Sequence, residues 1–455
     1  MSGPSEPRGT SDPCSTTELR DDSGLPWLVP AAYDASAASL TAHARAIGEV
    51  MAGTGRLWLG PFDPPSALPT GFEDTALVVP TSGSTGTAKA VALNREALLA
   101  LQDATAHLLA GDPATGGIGA NAAPAATEGH GFWLPLLPPT HIAGVQVLAR
   151  AHRTAQVLGR EDPALPDPLP DLRGHFDAAA FVALAEPALE QAEQAGLPAY
   201  TSLVPTQLTR IVTGATGADA RARSVLKRFA AVLVGGAATS EEILAKAAAQ
   251  RIRVRTTYGS SETAGGCVYD RIALPGVELG LERPDAGGAG RLVIASPTLA
   301  LGYLTADGSP DTTSFAHTAD GRRTFTTSDL AELDTDGALT VLGRADDVIN
   351  TGGRKVLPQD VERAIDRSLM LRGLVRSSVV VGVDDPDWGQ RVEALVTLED
   401  GAEPAEATAL VRSALRTSDV PAHMIPKRVH VLDRLPLLGI GKVDRAAARH
   451  LAATR

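Results

Sequence analysis

AAVLVGGAATSEEILAKAAAQRIRVRTTY, residues Ala230 to Tyr258, changes its hydrophobic period twice. The opening AAVLV is short, continuous and apolar, which suits a strand buried on both faces of a parallel sheet. GGAATS breaks that strand, and Thr239 and Glu242 have the spacing of a capping box at a helix start. EEILAKAAAQ continues as the helix, and RIRVRTTY (Arg251 to Tyr258) returns as a strand. Strand, helix and strand in that order form a βαβ unit, so the spacing predicts an α/β architecture. Ala76 to Val79 (ALVV) reads as another strand of the same buried kind.

With 455 residues, 44% of them hydrophobic, the chain can fill two or three domains. Residues 1 to about 25 are rich in Ser, Pro, Gly and charge and read as a disordered tail. Prolines recur from Glu161 to Leu172 too often for a helix or central strand, which predicts a surface loop. From about Arg344 the texture becomes α+β, with helices at PQDVERAIDRSL, ATALVRSALR and after Val443, and strands at SSVVVGV, RVEALVTL and KRVHVL. The expected division is a tail (1–25), a large domain with parallel-rich sheets flanked by helices (26–345), and a small α+β domain (346–455).

A formal charge of −12 argues against a broad nucleic-acid or anionic-membrane surface. No run approaches the roughly 20 apolar residues of a membrane span, and the first residues lack the apolar core of a secretory signal, so a cytoplasmic protein is expected. Two cysteines, Cys14 and Cys267, supply neither a disulfide framework nor a CxxC metal site. Of the 41 basic residues six are lysines, so a lysine within a motif is more informative than usual.

In VVPTSGSTGTAKAV (Val78 to Val91) a buried strand runs into Thr81, Ser82, Gly83, Ser84, Thr85 and Gly86, followed by Lys89. Glycines let backbone N–H groups approach phosphate oxygens, hydroxyls add donors and the lysine adds charge, so the loop can cradle a polyphosphate. A plain surface turn is the alternative. A Walker-type loop is excluded, because Gly83 and Gly86 stand too close, no Gly precedes Lys89, and the nearest helix start is Asn94. TTYGSSETAGG (Thr256 to Gly266) presents Tyr258, Gly259, Ser261 and Glu262: a ring can stack on a base, and a carboxylate can ligate Mg²⁺. Gly235, Gly236 and Ala237 follow a strand end, where open α/β sheets bind ligands. TSDLAELDTDGALTVLGRADDVI (Thr327 to Ile349) holds Asp329 and Arg344, which suit ribose hydroxyls and phosphate oxygen. Asp334 and Asp336 belong to a DTDG turn. PLLGIGKVDR (Pro436 to Arg445) carries Lys442 on a glycine-rich loop, where an ammonium could offset charge developing at a phosphate.

These stretches, in this order from about Val78 to Arg445, resemble the adenylate-forming superfamily of acyl-CoA synthetases, nonribosomal adenylation domains and luciferases. The resemblance implies that Tyr258 packs on adenine, Glu262 holds magnesium, Asp329 and Arg344 take the nucleotide, Lys442 is catalytic, and Asp346 is a hinge for a mobile C-terminal domain. It places His141 and the Gly265, Gly266 pair beside the acyl group, the two glycines leaving room for a flat ring. TSLVPTQLTRI (Thr201 to Ile211) and TYGSSETAGGCVYDRIALPGVE (Thr257 to Glu278) look like the o-succinylbenzoate:CoA ligases of menaquinone biosynthesis. The implied chemistry joins a carboxylic acid to ATP with Mg²⁺, then to coenzyme A. A stand-alone protein loading a carrier arm, another aryl or alkyl acyl-CoA synthetase, and a nucleotide sensor without turnover stay open, and oligomeric state is not legible.

Overall fold

The computed structural model describes residues 12, 15–20, 24–82, 88–111, 127–368, 371, 373–399, 402, 404–418, 420–437 and 443–454. By internal contacts the chain divides into two compact units, one of residues 1–278 and 294–325, the other of residues 279–293 and 326–455. This division assigns the Asp329–Arg344 stretch to the C-terminal unit, whereas the sequence boundary was expected at 345/346.

The first unit holds two sheets. In the six-stranded one, Phe132–Leu134, Ala199–Leu203, Ala231–Val234 and Val254–Ser260 lie side by side and parallel, and Gly265–Tyr269 adds antiparallel to the last. Every residue of Ala199–Leu203 and Ala231–Val234 is buried, as the apolar runs predict for strands covered on both faces. Phe181, Leu208, Ile211 and Leu226, from three helices, are buried in the same core as Val232 and Val234. Each such side chain contributes roughly 1.5–3 kcal/mol by leaving water. The helix Glu241–Ala249 is capped by Ser240, whose side chain accepts the Ile243 amide. The expected cap Thr239 is thus one residue early, since it is the Ser240 hydroxyl, three positions before Ile243, that reaches a free amide of the first turn.

The seven-stranded sheet runs Thr16–Arg20, Pro26–Pro30, Arg56–Trp58, Thr75–Ser82, Ala88–Asn94, Gly302–Leu304 and Pro310–Asp311. Its first strand lies inside the stretch read as tail: Thr16–Arg20 pairs antiparallel with Pro26–Pro30. The Ala76–Val79 run is buried, but its strand is parallel to Arg56–Trp58 and antiparallel to Ala88–Asn94, so the sheet is mixed. The helix Arg95–Ala110 starts where expected, with Asn94 accepting the Ala97 amide. The proline-rich stretch is not wholly superficial, because Ala164 and Leu165 are buried and Ala164 joins the core around Phe181.

In the second unit, Gly389–Leu398 is central to a five-stranded sheet, pairing antiparallel with Val375–Asp385 and parallel with Arg428–Val431. Val361, Ile365, Val411 and Leu415, from helices Pro358–Arg367 and Pro404–Thr417, pack on Val380 and Val396. Arg445 secures the last helix, Arg445–Thr454: it donates to Glu362 at 2.9 Å and to the Val380 carbonyl at 2.9 Å. Among the described residues no helix is long and apolar enough to cross a membrane.

Candidate active site

The parallel strands release their loops at one end. Gly235, Gly236 and Ala237 follow Ala231–Val234, and a 3₁₀ turn, Ser261–Thr263, follows Val254–Ser260. Tyr258 is half-buried and stands opposite Val268 of the neighbouring strand. Gly259 must be glycine, because a Cβ there would lie 1.9 Å from the Gly265 carbonyl oxygen. The turn carries Glu262, 8% exposed.

Glu262 Oε1 accepts a hydrogen bond from the Tyr303 hydroxyl at 2.8 Å. No cation among the described residues pairs with this carboxylate. The Tyr303 ring also takes the Lys89 ammonium, 4.6 Å from its centroid, and Lys89 Nζ pairs with Asp311 at 3.2 Å. The Asp311 carboxyl is held below its ordinary pKa, chiefly by its Thr313 hydrogen bonds and further by Lys89. Strand pairing sets this cluster, with Tyr303 opposite Val91 and Asp311 opposite Tyr303. Gly302, at φ +150°, makes the approach possible, since a Cβ would sit 2.8 Å from Phe72. Tyr303 and Asp311 were missed from the sequence: nothing in LGYLTADGSPD marks them until the strands pair.

Thr81 and Ser82 end the strand Thr75–Ser82. Gly83, Ser84, Thr85, Gly86 and Lys442 lie outside the described residues. The Lys442 segment is bounded by a β-bridge between Leu437 and Val443, and the Asp444 amide donates to the Pro436 carbonyl at 2.9 Å.

In the second unit, Asp329 and Arg344 face each other across the pair Arg323–Leu333 and Leu339–Arg344. Arg344 Nη1 is 3.8 Å from Asp329 Oδ1, and Nη2 donates to Asp346 at 2.8 Å. Asp346 lies on the 3₁₀ turn Ala345–Asp347. Asp334 closes the expected turn, its side chain accepting the Asp336 and Ala338 amides.

Of the residues expected beside the acyl group, His141 is the N-cap residue of the helix Ile142–Leu158 but makes no side-chain cap bond. The expected open space at the glycine pair is filled. A Cβ on Gly265 would be 3.1 Å from both Gln146 and Leu101, and one on Gly266 would be 3.2 Å from Thr257. Gln146 donates to the Ala264 carbonyl and accepts from Gln102. One turn further along the same helix is Arg150, 7% exposed. Its Nη2 donates to the Tyr269 hydroxyl at 3.1 Å, its guanidinium lies 4.9 Å from the Trp133 ring, and its Nε is buried without an acceptor. No carboxylate among the described residues pairs with it. Burial pulls its pKa below the ordinary value, opposed by Tyr269. A small cavity of about 10 Å³ adjoins it, lined in part by Gln102, Thr105, His130 and Thr154. That is room for about one water molecule. A usable signal existed: VQVLARA is apolar around its whole circumference, so the Gln and Arg four apart within it had to be interior.

The AMP-binding enzyme C-terminal domain family matches residues 364–442. The chain is 41% identical over 377 residues to a protein named probable 2-succinylbenzoate–CoA ligase from Mycobacterium tuberculosis, covering 82% of this chain and 84% of that one. A 2-succinylbenzoate–CoA ligase of Listeria monocytogenes is 26% identical over 69% of this chain and 60% of its own. Among solved structures, o-succinylbenzoate CoA synthetase from Bacillus subtilis, in complex with an acyl-adenylate intermediate, superposes with TM-score 0.61 at 20% identity, covering 93% of this chain and 83% of that one. ATP-bound MatB from Rhodopseudomonas palustris gives TM-score 0.64 at 23% identity, covering 85% and 70%. At those identities the structures show a shared fold.

Proposed function

Since the chain belongs to the adenylate-forming, AMP-producing acid–CoA ligase family, we propose that its acid is a dicarboxylate of the 2-succinylbenzoate type, converted to the CoA thioester as in menaquinone biosynthesis. The observation that carries this choice is Arg150. A guanidinium removed from water with no carboxylate partner among the described residues is costly. It becomes favourable when a ligand brings the missing anion, and a diacid has one carboxylate to activate and one to spare. The adjoining cavity holds about one water, so the acid enters by displacing the Gln102–Gln146 pair.

In the first half reaction, one carboxylate oxygen attacks the α-phosphorus of ATP and pyrophosphate leaves. Tyr258 and the Gly235 to Ala237 turn border the base, Asp329 and Arg344 take the ribose side, and Lys89 with the Thr81 to Gly86 loop takes the outer phosphates. Lys442 sits between the approaching anions and offsets their repulsion. Glu262 fits a magnesium ion: it is buried, has no cation partner among the described residues and keeps one oxygen beyond the Tyr303 bond, and magnesium is ordinarily held by one or two carboxylates plus substrate phosphates. Bound there, the ion would neutralise phosphate charge. In the second half reaction the small domain turns about Asp346, Lys442 withdraws, and the CoA thiol attacks the acyl carbon, expelling AMP.

Pyrophosphate release on a panel of aryl and alkyl acids, followed by thioester formation with free CoA, tests the reading. Release that prefers 2-succinylbenzoate and proceeds to its CoA thioester without any protein acceptor is expected. Turnover that needs a carrier protein, or that favours monocarboxylates, would reject it.

A further inference from the structure

The proposed reading uses Glu262 and Lys89 separately, yet one side chain touches both. The Tyr303 hydroxyl donates to Glu262 at 2.8 Å, and its ring lies 4.6 Å from the Lys89 ammonium. Tyr303 is itself fixed. It is 7% exposed, its ring meets Phe315 edge-on at 5.8 Å, and its strand is locked on both sides, against Ala90 to Ala92 and against Pro310 and Asp311. A rigid phenol between a metal-binding carboxylate and a phosphate-seeking ammonium fixes the distance between the two groups.

We infer that Tyr303 is a positioning residue for the metal nucleotide: its hydroxyl orients the Glu262 carboxylate for magnesium and its ring seats Lys89 for the phosphates, so the two act as one unit. The inference rests on the roles proposed above for Glu262 and Lys89. The hydroxyl fixes one carboxylate oxygen and leaves the other to the metal. The ring attracts the ammonium without neutralising it. Asp311 also pairs with this ammonium, at 3.2 Å, and is the partner that phosphate must displace.

The test is calorimetric titration of ATP into the full-length protein, in Mg²⁺ and in EDTA, so that binding is read without turnover. Tyr303→Phe keeps the ring and removes the hydroxyl. Its magnesium-dependent gain in ATP affinity should fall roughly ten- to a hundredfold, the range for a hydrogen bond to a charged group, while affinity in EDTA stays within about twofold. An unchanged gain, or an equal loss in Mg²⁺ and EDTA, overturns the inference. Glu262→Gln must lose the same gain. If it does not, the metal role of Glu262 fails and the proposed site falls with it, whereas loss in Glu262→Gln with wild-type behaviour in Tyr303→Phe removes Tyr303 alone. The double variant should lose no more than Glu262→Gln, since both changes act through one carboxylate. Additive losses would show independent effects and reject the coupling.

Discussion

Replacing Arg150 by Met isolates the charge that the acid is proposed to neutralise. The side chain is 7% exposed, its Nε lacks an acceptor, and Tyr269 and Trp133 are the contacts it keeps. A carboxylate docking there gains one to two charge-assisted hydrogen bonds of about 1.5–3 kcal/mol each, or roughly 3–6 kcal/mol for two. Part of that is lost to desolvation of the incoming anion, which leaves about 3–4 kcal/mol, a factor of roughly 100 to 1,000. Arg150→Met should therefore lower kcat/KM for 2-succinylbenzoate by that factor in pyrophosphate release. Activity on the mono-acid analogues lacking either one of its two carboxylates should change by less than about threefold for whichever is turned over. The unfolding midpoint should stay the same or rise, because an apolar chain of similar length replaces a buried cation with no carboxylate partner among the described residues. Equal losses on the diacid and the mono-acids would refute the reasoning, as would an unaffected diacid.

Lys442→Ala should lose acyl-AMP formation by a factor of about 100 or more while still converting supplied acyl-AMP to thioester, and equal loss in the two assays would contradict a role in the first half reaction. Gly302→Ala should destabilise by about 2–4 kcal/mol in urea unfolding, since φ is +150° and the new methyl meets Phe72 at 2.8 Å; wild-type stability would show that the strand can shift at no cost. His43 and His152 have pKa values lowered by burial, opposed by their hydrogen bonds to the Ser39 and Ala44 carbonyls. They are neutral when folded and take up protons first when unfolded, so stability is full above the unfolded value near 6.5 and declines as the pH falls through and below it. Urea midpoints at pH 7.5 and 5.5 should differ less in His152→Gln than in the wild type, and an unchanged difference would remove that histidine from the account.

The parallel strands and their helices were legible because period carries them: AAVLV can do little else than lie inside an α/β layer, and Asn94 marks a helix start by its own side chain. Thr239 and Ser240 both suit a cap, and the geometry of the turn rather than the spelling chose Ser240. Thr16–Arg20 was misread as tail because its composition is polar, although an edge strand needs backbone pairing rather than apolar side chains. Glu262, Tyr258, Asp329 and Arg344 were nameable because each sits in a contiguous motif. Tyr303 and Asp311 were not, because their partners are remote: Asp311 meets Lys89 across 222 residues; the apolar surround of Arg150 marks it as interior, but its partner Tyr269 lies 119 residues away. Pairing at that range is a property of the sheet order, which a linear reading cannot supply.

The clasp between Leu437 and Val443 ties the run before the last helix back onto itself. Beside it the Asp444 amide donates to the Pro436 carbonyl at 2.9 Å, so Val443 and Asp444 are both pinned. Next in the chain, Arg445 is riveted to Glu362 and to the Val380 carbonyl. Any excursion of Val443 to Arg445 must drag the clasp, the rivet and the sheet beneath them. The start of the last helix is therefore geared to its own sheet, and moves with that body rather than as a tongue that flickers on its own.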